Sequence, residues 1–289
     1  MPELPEVETV RRGLSNLIIG KQILSATNDT PKSFPNTATD VRQFMISATV
    51  TDVRRRAKVL MIDLSTNYSL VIHLKMTGQL VYIDSKDRFG AGHPNDSLVN
   101  ALPDKSTRVT IQFKDESHLF FNDQRKFGWV KLLPTAEIMN LPFMLKVGPE
   151  PLDVDFTAEQ FRERFTRRAR TNIKAAILDQ SVVAGVGNIY ADESLWGAKI
   201  HPKRLVGSIT DAEFTLLYTQ LRAVMNLSIE KGGSSNRNYV NAEGKRGSYM
   251  DFANVFRREG LPCPRCGTTI EKLRVAGRGT HICPFCQVV

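Results

Sequence analysis

At 289 residues the chain is long enough for two domains with cores of their own, and its 42% hydrophobic and 24% charged residues are those of an ordinary soluble globular protein. Lys and Arg outnumber Asp and Glu by 39 to 30, leaving a net charge of +9 that suits a polyanionic partner, nucleic acid first and an acidic membrane second. No apolar run approaches the roughly 18 residues of a membrane span, so no membrane partner is expected.

The opening Met1-Pro2-Glu3-Leu4-Pro5-Glu6-Val7-Glu8 crowds two prolines and three carboxylates at the chain end. A signal peptide would carry positive charge and then an apolar stretch there, so a cytoplasmic protein is expected. An initiator Met before Pro is normally removed, which leaves Pro2 as a terminal secondary amine. Such an amine can attack a carbonyl-like carbon and form a Schiff base, and Glu3 beside it can protonate a leaving or ring oxygen. On the residues alone the plainer reading is a helix start, with Pro5 in the first turn and Glu6 and Glu8 favoured by the dipole.

Residues 5–19 put Val7, Val10, Leu14, Leu17 and Ile18 on one helical face, and Gly20 stops the helix. From about 22 to 133 the pattern turns to short strands, clearest at 59–64, 69–74 and 107–113. The segment 84–106, rich in Gly, Pro, Asp, Asn and Ser, reads as a long loop. Residues 2–133 are therefore expected to form a mostly antiparallel β domain with one leading helix. Pro134, Pro142, Pro149 and Pro151 mark a linker over 134–155. Helical periodicity follows at 157–168, 173–179, 189–197 and 210–231, broken by the tight turn Gly185-Val186-Gly187-Asn188. Two helices around such a turn can aim backbone N–H groups at a phosphate.

The spacing Cys263-x2-Cys266-x16-Cys283-x2-Cys286 matches a tetrahedral, structural zinc site with all four positions filled by sulfur. Two disulfides or an iron–sulfur site are the other readings of four such cysteines. Arg257, Arg258, Arg265, Lys272, Arg274 and Arg278 surround the knuckles and suit phosphate contact, or else form a solvated basic surface. Lys58 follows Arg54-Arg55-Arg56-Ala57 and precedes an apolar strand, a strand edge that faces either phosphate or solvent. Met76 in His73-Leu74-Lys75-Met76-Thr77-Gly78 reads on its own as core filler at a turn, and His73 as a buried strand histidine.

The N-terminal run through Thr9-Val10-Arg11-Arg12-Gly13-Leu14 resembles the opening of the formamidopyrimidine-DNA glycosylases, and the later motifs resemble that family in order. The resemblance implies an α+β fold: an N-terminal antiparallel β-sandwich domain with a leading helix, then a C-terminal helical domain with a helix–two-turn–helix and a zinc-finger hairpin. Residues 156–252 would form the helical part with a lesion-capping loop, and 253–289 the zinc finger with one structural Zn2+. It implies a base-excision-repair enzyme that removes oxidised purines and cuts the abasic strand by β,δ-elimination. Pro2 would be the nucleophile and Glu3 the proton donor, with Lys58 and Arg278 beside the lesion phosphates. Met76, Arg125 and Phe127 would fill the gap left by an extruded nucleotide. His73, Arg170, Lys174 and Asn188 would contact DNA.

Ser106 stands where many relatives have a DNA-contacting His, so that contact would be weakened or passed to Arg108. Ala57, Lys75 and Gln124 also depart from the family pattern, as do the stretches 234–239 and 255–260, and these last two bear on lesion preference. The expected partner is double-stranded DNA with oxidised bases or abasic sites, bound by a monomer at the nucleoid. A non-catalytic damage-binding protein, or a glycosylase shifted toward oxidised pyrimidines, is the alternative.

Overall fold

The protein is described by a computed structural model covering residues 1–93, 95–234 and 249–288. It divides into two units, the first holding Met1–Leu145 and taking the chain back at Lys231, the second holding Lys146–Glu230 and Tyr249–Val289.

The first unit opens with α1 (Leu4–Ile18), followed by β1 (Ile23–Asn28) and a short α2 (Ala38–Asp40) that runs into a π-helical turn at Val41–Met45. Eight strands follow: β2 (Val50–Arg56), β3 (Val59–Leu64), β4 (Tyr68–His73), β5 (Gly78–Ile83), β6 (Arg88–Gly92), β7 (Thr107–Phe113), β8 (His118–Asp123) and β9 (Trp129–Pro134). They build two antiparallel sheets, ordered β1-β7-β8-β5-β6 and β2-β3-β4-β9. The sandwich forms because each strand turns one row of apolar side chains inward. Leu60, Ile62, Leu70 and Ile72 from one sheet share a core with Leu80, Tyr82, Ile111 and Phe121 from the other. Helix α1 contributes Val7, Val10, Leu14 and Ile18, all fully buried, so its start is held against that core.

The reading of 84–106 as an uninterrupted loop is corrected. It contains β6 and a 3-10 turn at Asp96–Leu98. Phe89 and Ala91 point into the core while β6 pairs with residues 79–83 of β5, so burial and pairing outweigh the turn-like local composition. The stretch after Pro134 is also more than a tether. A 3-10 segment (Thr135–Asn140) and α3 (Pro142–Leu145) bury Ile138 and Met144 against Val59, Met61 and Val71, on the face of the second sheet away from the main core.

The second unit carries α4 (Ala158–Glu163), α5 (Ile173–Leu178), α6 (Asn188–Gly197), α7 (Asp211–Glu230) and the hairpin β10 (Glu271–Val275) with β11 (Arg278–Ile282). The single helix expected over 157–168 is α4 plus a separate 3-10 turn, because the chain tightens to i→i+3 bonds such as Arg168 N to Phe165 O at 2.8 Å. Phe156, Phe161, Phe165, Phe214 and Tyr218 pack ring against ring and join α4 to α7. Residues 231–234 leave these helices for the first unit, where Ser234 N donates to Glu6 Oε1 at 2.9 Å.

Candidate active site and metal centre

Pro2 and Glu3 are buried at the start of α1. Glu3 is the N-cap, with φ −99° and ψ −173°, and Pro5 sits in the first turn where its missing N–H costs nothing. Glu6 Oε2 accepts from Glu3 N at 2.8 Å, which fixes the backbone on which the Glu3 carboxyl is carried. The helix-start reading holds: the stretch is a well-capped helix beginning, and it places Pro2 directly before the Glu3 carboxyl.

One turn further, Glu8 gathers Arg11, Arg12 and Arg55, with bonds of 2.8 to 3.2 Å. Burial alone would raise its pKa, but the bonds from Arg11 and Arg12 and the charges of Arg11 and Arg55 outweigh it and hold the carboxyl at about 2. Arg55 also donates to Ala57 O at 3.0 Å, so this carboxylate ties α1 to the tight β2–β3 turn that presents Lys58. Ala57 sits in that turn with φ 52°, a left-handed conformation in which a glycine would be less strained.

His73, at the end of β4, is paired in register with Val59, the residue after Lys58. Burial, helped by the charges of Lys75 and Lys58, pushes its pKa down to about 3. Its Nδ1 accepts from Lys75 N at 3.0 Å, which puts the proton on Nε2 as a neutral donor. The unfolded chain takes up a proton near pH 6.5, whereas the folded imidazole does so only near 3. Stability contributed by neutral His73 is therefore present above pH 6.5 and lost as pH falls from 6.5 toward 3. Urea-unfolding midpoints measured across that window are expected to fall with pH, and His73→Asn is expected to flatten the slope.

Met76 is half-buried in the turn between β4 and β5, while Arg125 and Phe127 are exposed in the turn after β8. The Arg125 guanidinium lies 4.7 Å from the Phe127 ring centroid. Asp123, which sequence reasoning did not single out, joins these two turns through its buried carboxylate. Its only visible signal was an acid just before a polar run that ends at Gly128.

Ser106 and Arg108 do not fit a phosphate contact, and those expectations are corrected. Ser106 is 2% exposed, with its hydroxyl held by Ser97 and Asp104 at 2.9 and 2.7 Å. Arg108 is 5% exposed and pairs with Asp29, the Asp123 carbonyl and the Lys105 carbonyl.

In the second unit, Arg170 is exposed in the turn before α5. Lys174 is not, and its expected contact with DNA is also corrected. With no exposed surface, its ammonium pairs with Asp192 at 2.6 Å and donates to Thr280 Oγ1 at 2.7 Å. Asn188 opens α6 and donates through Nδ2 to Gly279 O at 2.8 Å. Asp192 also accepts from His281 N at 2.9 Å, so Lys174, Asn188 and Asp192 together seat the β10–β11 hairpin on α5 and α6. Ala276 and Gly277, with φ 49° and 73°, make the two-residue hairpin turn, and Arg278 is exposed immediately after it. A cation with no access to solvent here positions Arg278 rather than reaching outward itself.

The four cysteine sulfurs lie within 4.8 Å of one another, with Sγ–Sγ separations of 3.4 Å (Cys266–Cys283), 3.5 Å (Cys266–Cys286) and 4.0 Å (Cys263–Cys286). A zinc ion with Zn–S bonds of about 2.3 Å has tetrahedral S–S edges of about 3.8 Å, whereas disulfides need about 2.05 Å. The donor set fits one structural zinc. Around it Val255, Cys263, Ile270 and Cys283 form a small core with Trp196, and the Arg265 guanidinium lies 4.0 Å over the Trp196 ring. Glu193, fully buried, accepts from the Asn254, Val255 and Phe256 amides at 2.8 to 2.9 Å and anchors the approach to the knuckles on α6.

Comparison with known proteins agrees along the whole chain. Residues 1–130 match the family described as formamidopyrimidine-DNA glycosylase N-terminal domain, 147–239 its H2TH domain, and 260–288 the zinc finger found in FPG and IleRS. The formamidopyrimidine-DNA glycosylase of Pediococcus pentosaceus is 40% identical over 289 residues, covering 100% of both chains. Lactococcus lactis Fpg, solved in complex with an abasic-site DNA, superposes with a TM-score of 0.86 at 35% identity over 99% of both chains. MutM bound to DNA containing carbocyclic 8-oxo-G gives a TM-score of 0.85 at 33% identity over 100% of both.

Proposed function

The chain belongs to the formamidopyrimidine-DNA glycosylase family and is a base-excision-repair glycosylase and abasic-site lyase for oxidised purines, and we propose that it works through the amine of Pro2. Once Met1 is removed, the Pro2 nitrogen attacks C1′ of the damaged nucleotide and the glycosidic bond breaks. Glu3 supplies the proton needed as the base leaves and the sugar ring opens. The resulting iminium acidifies the C2′ protons. Loss of one expels the 3′ phosphate and a second elimination expels the 5′ phosphate, leaving a one-nucleotide gap.

Lys58 and the Nε2–H of His73 bind phosphate oxygens on the first unit, and Arg170 and Arg278 do so on the second. Asn188 adds a contact at the start of α6 once its amide is released from Gly279. Met76, Arg125 and Phe127 hold the space of the extruded nucleotide, with the Arg125 guanidinium facing the orphaned partner base. Cys263, Cys266, Cys283 and Cys286 would hold a zinc ion with all four positions filled by sulfur, leaving it no place for substrate. When bound it supplies the fold of the Arg278 hairpin. The proposal is for a monomer working at the chromosome on duplex DNA, since one copy of the chain carries every residue named.

The observation that carries this reading is the burial of Pro2 and Glu3 at the start of an α1 anchored in the core, in a chain that matches the family from end to end. Nicking of duplexes bearing 8-oxoguanine opposite cytosine, beside duplexes bearing an oxidised pyrimidine, tests it. Faster cutting of the purine duplex, with phosphates on both new ends, is expected. Preference for the pyrimidine duplex would overturn the lesion assignment and leave the chemistry standing.

A further inference from the structure

Asp123 is fully buried at the end of β8, and its carboxylate has no Lys or Arg partner among the described residues. The charge is met instead by four donors. Oδ2 accepts from Phe127 N at 2.8 Å and Gly128 N at 2.6 Å, while Oδ1 accepts from Arg125 N at 3.1 Å and from the Thr77 hydroxyl. A buried carboxylate is costly unless satisfied in this way, so the arrangement is demanding and is disrupted by the loss of any one member.

Thr77 directly follows Met76, and its oxygen also receives Arg125 N at 3.2 Å. One carboxylate therefore bolts the Met76 turn to the turn bearing Arg125 and Phe127. The backbone reaches it by curling through Lys126 at φ 55°, and Gly128 must lack a side chain, since a Cβ would lie 2.7 Å from Phe121 Cζ, 3.0 Å from His73 O and 3.2 Å from Asp123 Oδ2. The loop is built around the carboxylate, while the side chains of Arg125 and Phe127 stay outside it and exposed.

We infer that Asp123 is a positioning residue for base extrusion: it holds Met76, Arg125 and Phe127 as one preformed unit, so that entering the duplex does not require the two turns to be ordered at that moment. This rests on the proposed roles of those three side chains in filling the extruded nucleotide's place. A preformed wedge matters most where a paired, stacked base must be expelled and least where the base is already gone. Asp123→Asn puts an amide against N–H groups at one pair of bonds, and Thr77→Val removes only the hydroxyl link between the turns.

The test compares kcat/KM on an 8-oxoguanine:cytosine duplex and on the same duplex with a preformed abasic site, and follows wedge entry by the fluorescence of 2-aminopurine placed beside the lesion. Asp123→Asn is expected to slow excision of 8-oxoguanine and the fluorescence rise by about 30-fold or more, while strand cutting at the abasic site falls by less than about threefold. Thr77→Val is expected to move the same two readouts in the same direction by about three- to tenfold. Equal losses on both substrates, or none on either, would overturn the inference, because a merely structural carboxylate would not distinguish them. Phe127→Ala, measured alongside, separates the two claims. If it leaves the fluorescence rise intact, the wedge reading itself fails, and if it abolishes the rise while both other variants keep it, only the role of Asp123 fails.

Discussion

Glu3→Gln is expected to lower base excision by about 100- to 10,000-fold while leaving affinity for the lesion duplex nearly unchanged. Replacing the carboxyl by an amide removes the only proton donor adjacent to Pro2 in sequence, yet keeps the shape and the N-cap position from which the side chain acts. Backbone placement is preserved as well, because the Glu6 carboxylate accepts from the amide of residue 3 and the Gln oxygen can still accept from the Glu6 amide in the capping box. The loss should therefore appear in kcat and spare binding, as expected when an interaction made only in the transition state is deleted. Single-turnover excision and equilibrium binding on the same duplex check this. A parallel loss of binding would mean that Glu3 acts as a structural cap.

Removing the zinc should have a second large effect, of a different kind. Among the described residues the knuckles enclose only Val255, Ile270, Trp196 and the cysteines themselves, a core too small to persist without the metal. When the thiolates lose their cation the β10–β11 hairpin opens, and Lys174 and Asp192 lose their partners on Thr280 and His281. Cys283→Ser, or treatment with a strong chelator, is expected to weaken DNA binding by about 100-fold or more and to flatten its salt dependence by about one unit for each phosphate that the open hairpin no longer neutralises. The β-sandwich has its own core and should still unfold at its usual temperature. Zinc added back after chelation should restore binding, which separates metal loss from irreversible damage.

What could be read from the sequence depended on whether the signal was local. The zinc site was legible in the cysteine spacing, and α1 in an apolar stripe of which the fold buries all but the partly exposed Leu17. The helices of the second unit appear where their periodicity placed them, apart from the tightening after Glu163. Roles that depend on burial were not legible. Lys174 looks like any cation near a phosphate-binding turn until Asp192 and Thr280 are seen to consume its charge and hydrogen bonds. Ser106 likewise turns inward to Asp104 and Ser97. β6 was hidden because Gly90 and Gly92 give the strand a loop-like composition, whereas its pairing with β5 is a long-range fact. Asp123 was missed for the same reason, since a buried carboxylate and an exposed one are written with the same letter. The stretch 235–248, which holds most of the expected lesion-capping loop, lies outside the described residues.

The central claim is that the Pro2 nitrogen forms a covalent bond with the sugar, and borohydride trapping tests it most directly. The mature protein, with loss of Met1 established by intact mass, is incubated with a duplex carrying one 8-oxoguanine opposite cytosine and reduced during turnover, and the adduct is then mapped by peptide sequencing. A protein–DNA adduct on the N-terminal peptide, with the modified residue at Pro2, is the expected result. An adduct on a lysine such as Lys58, or none at all from a protein that binds the duplex with a free Pro2 amine, would contradict it.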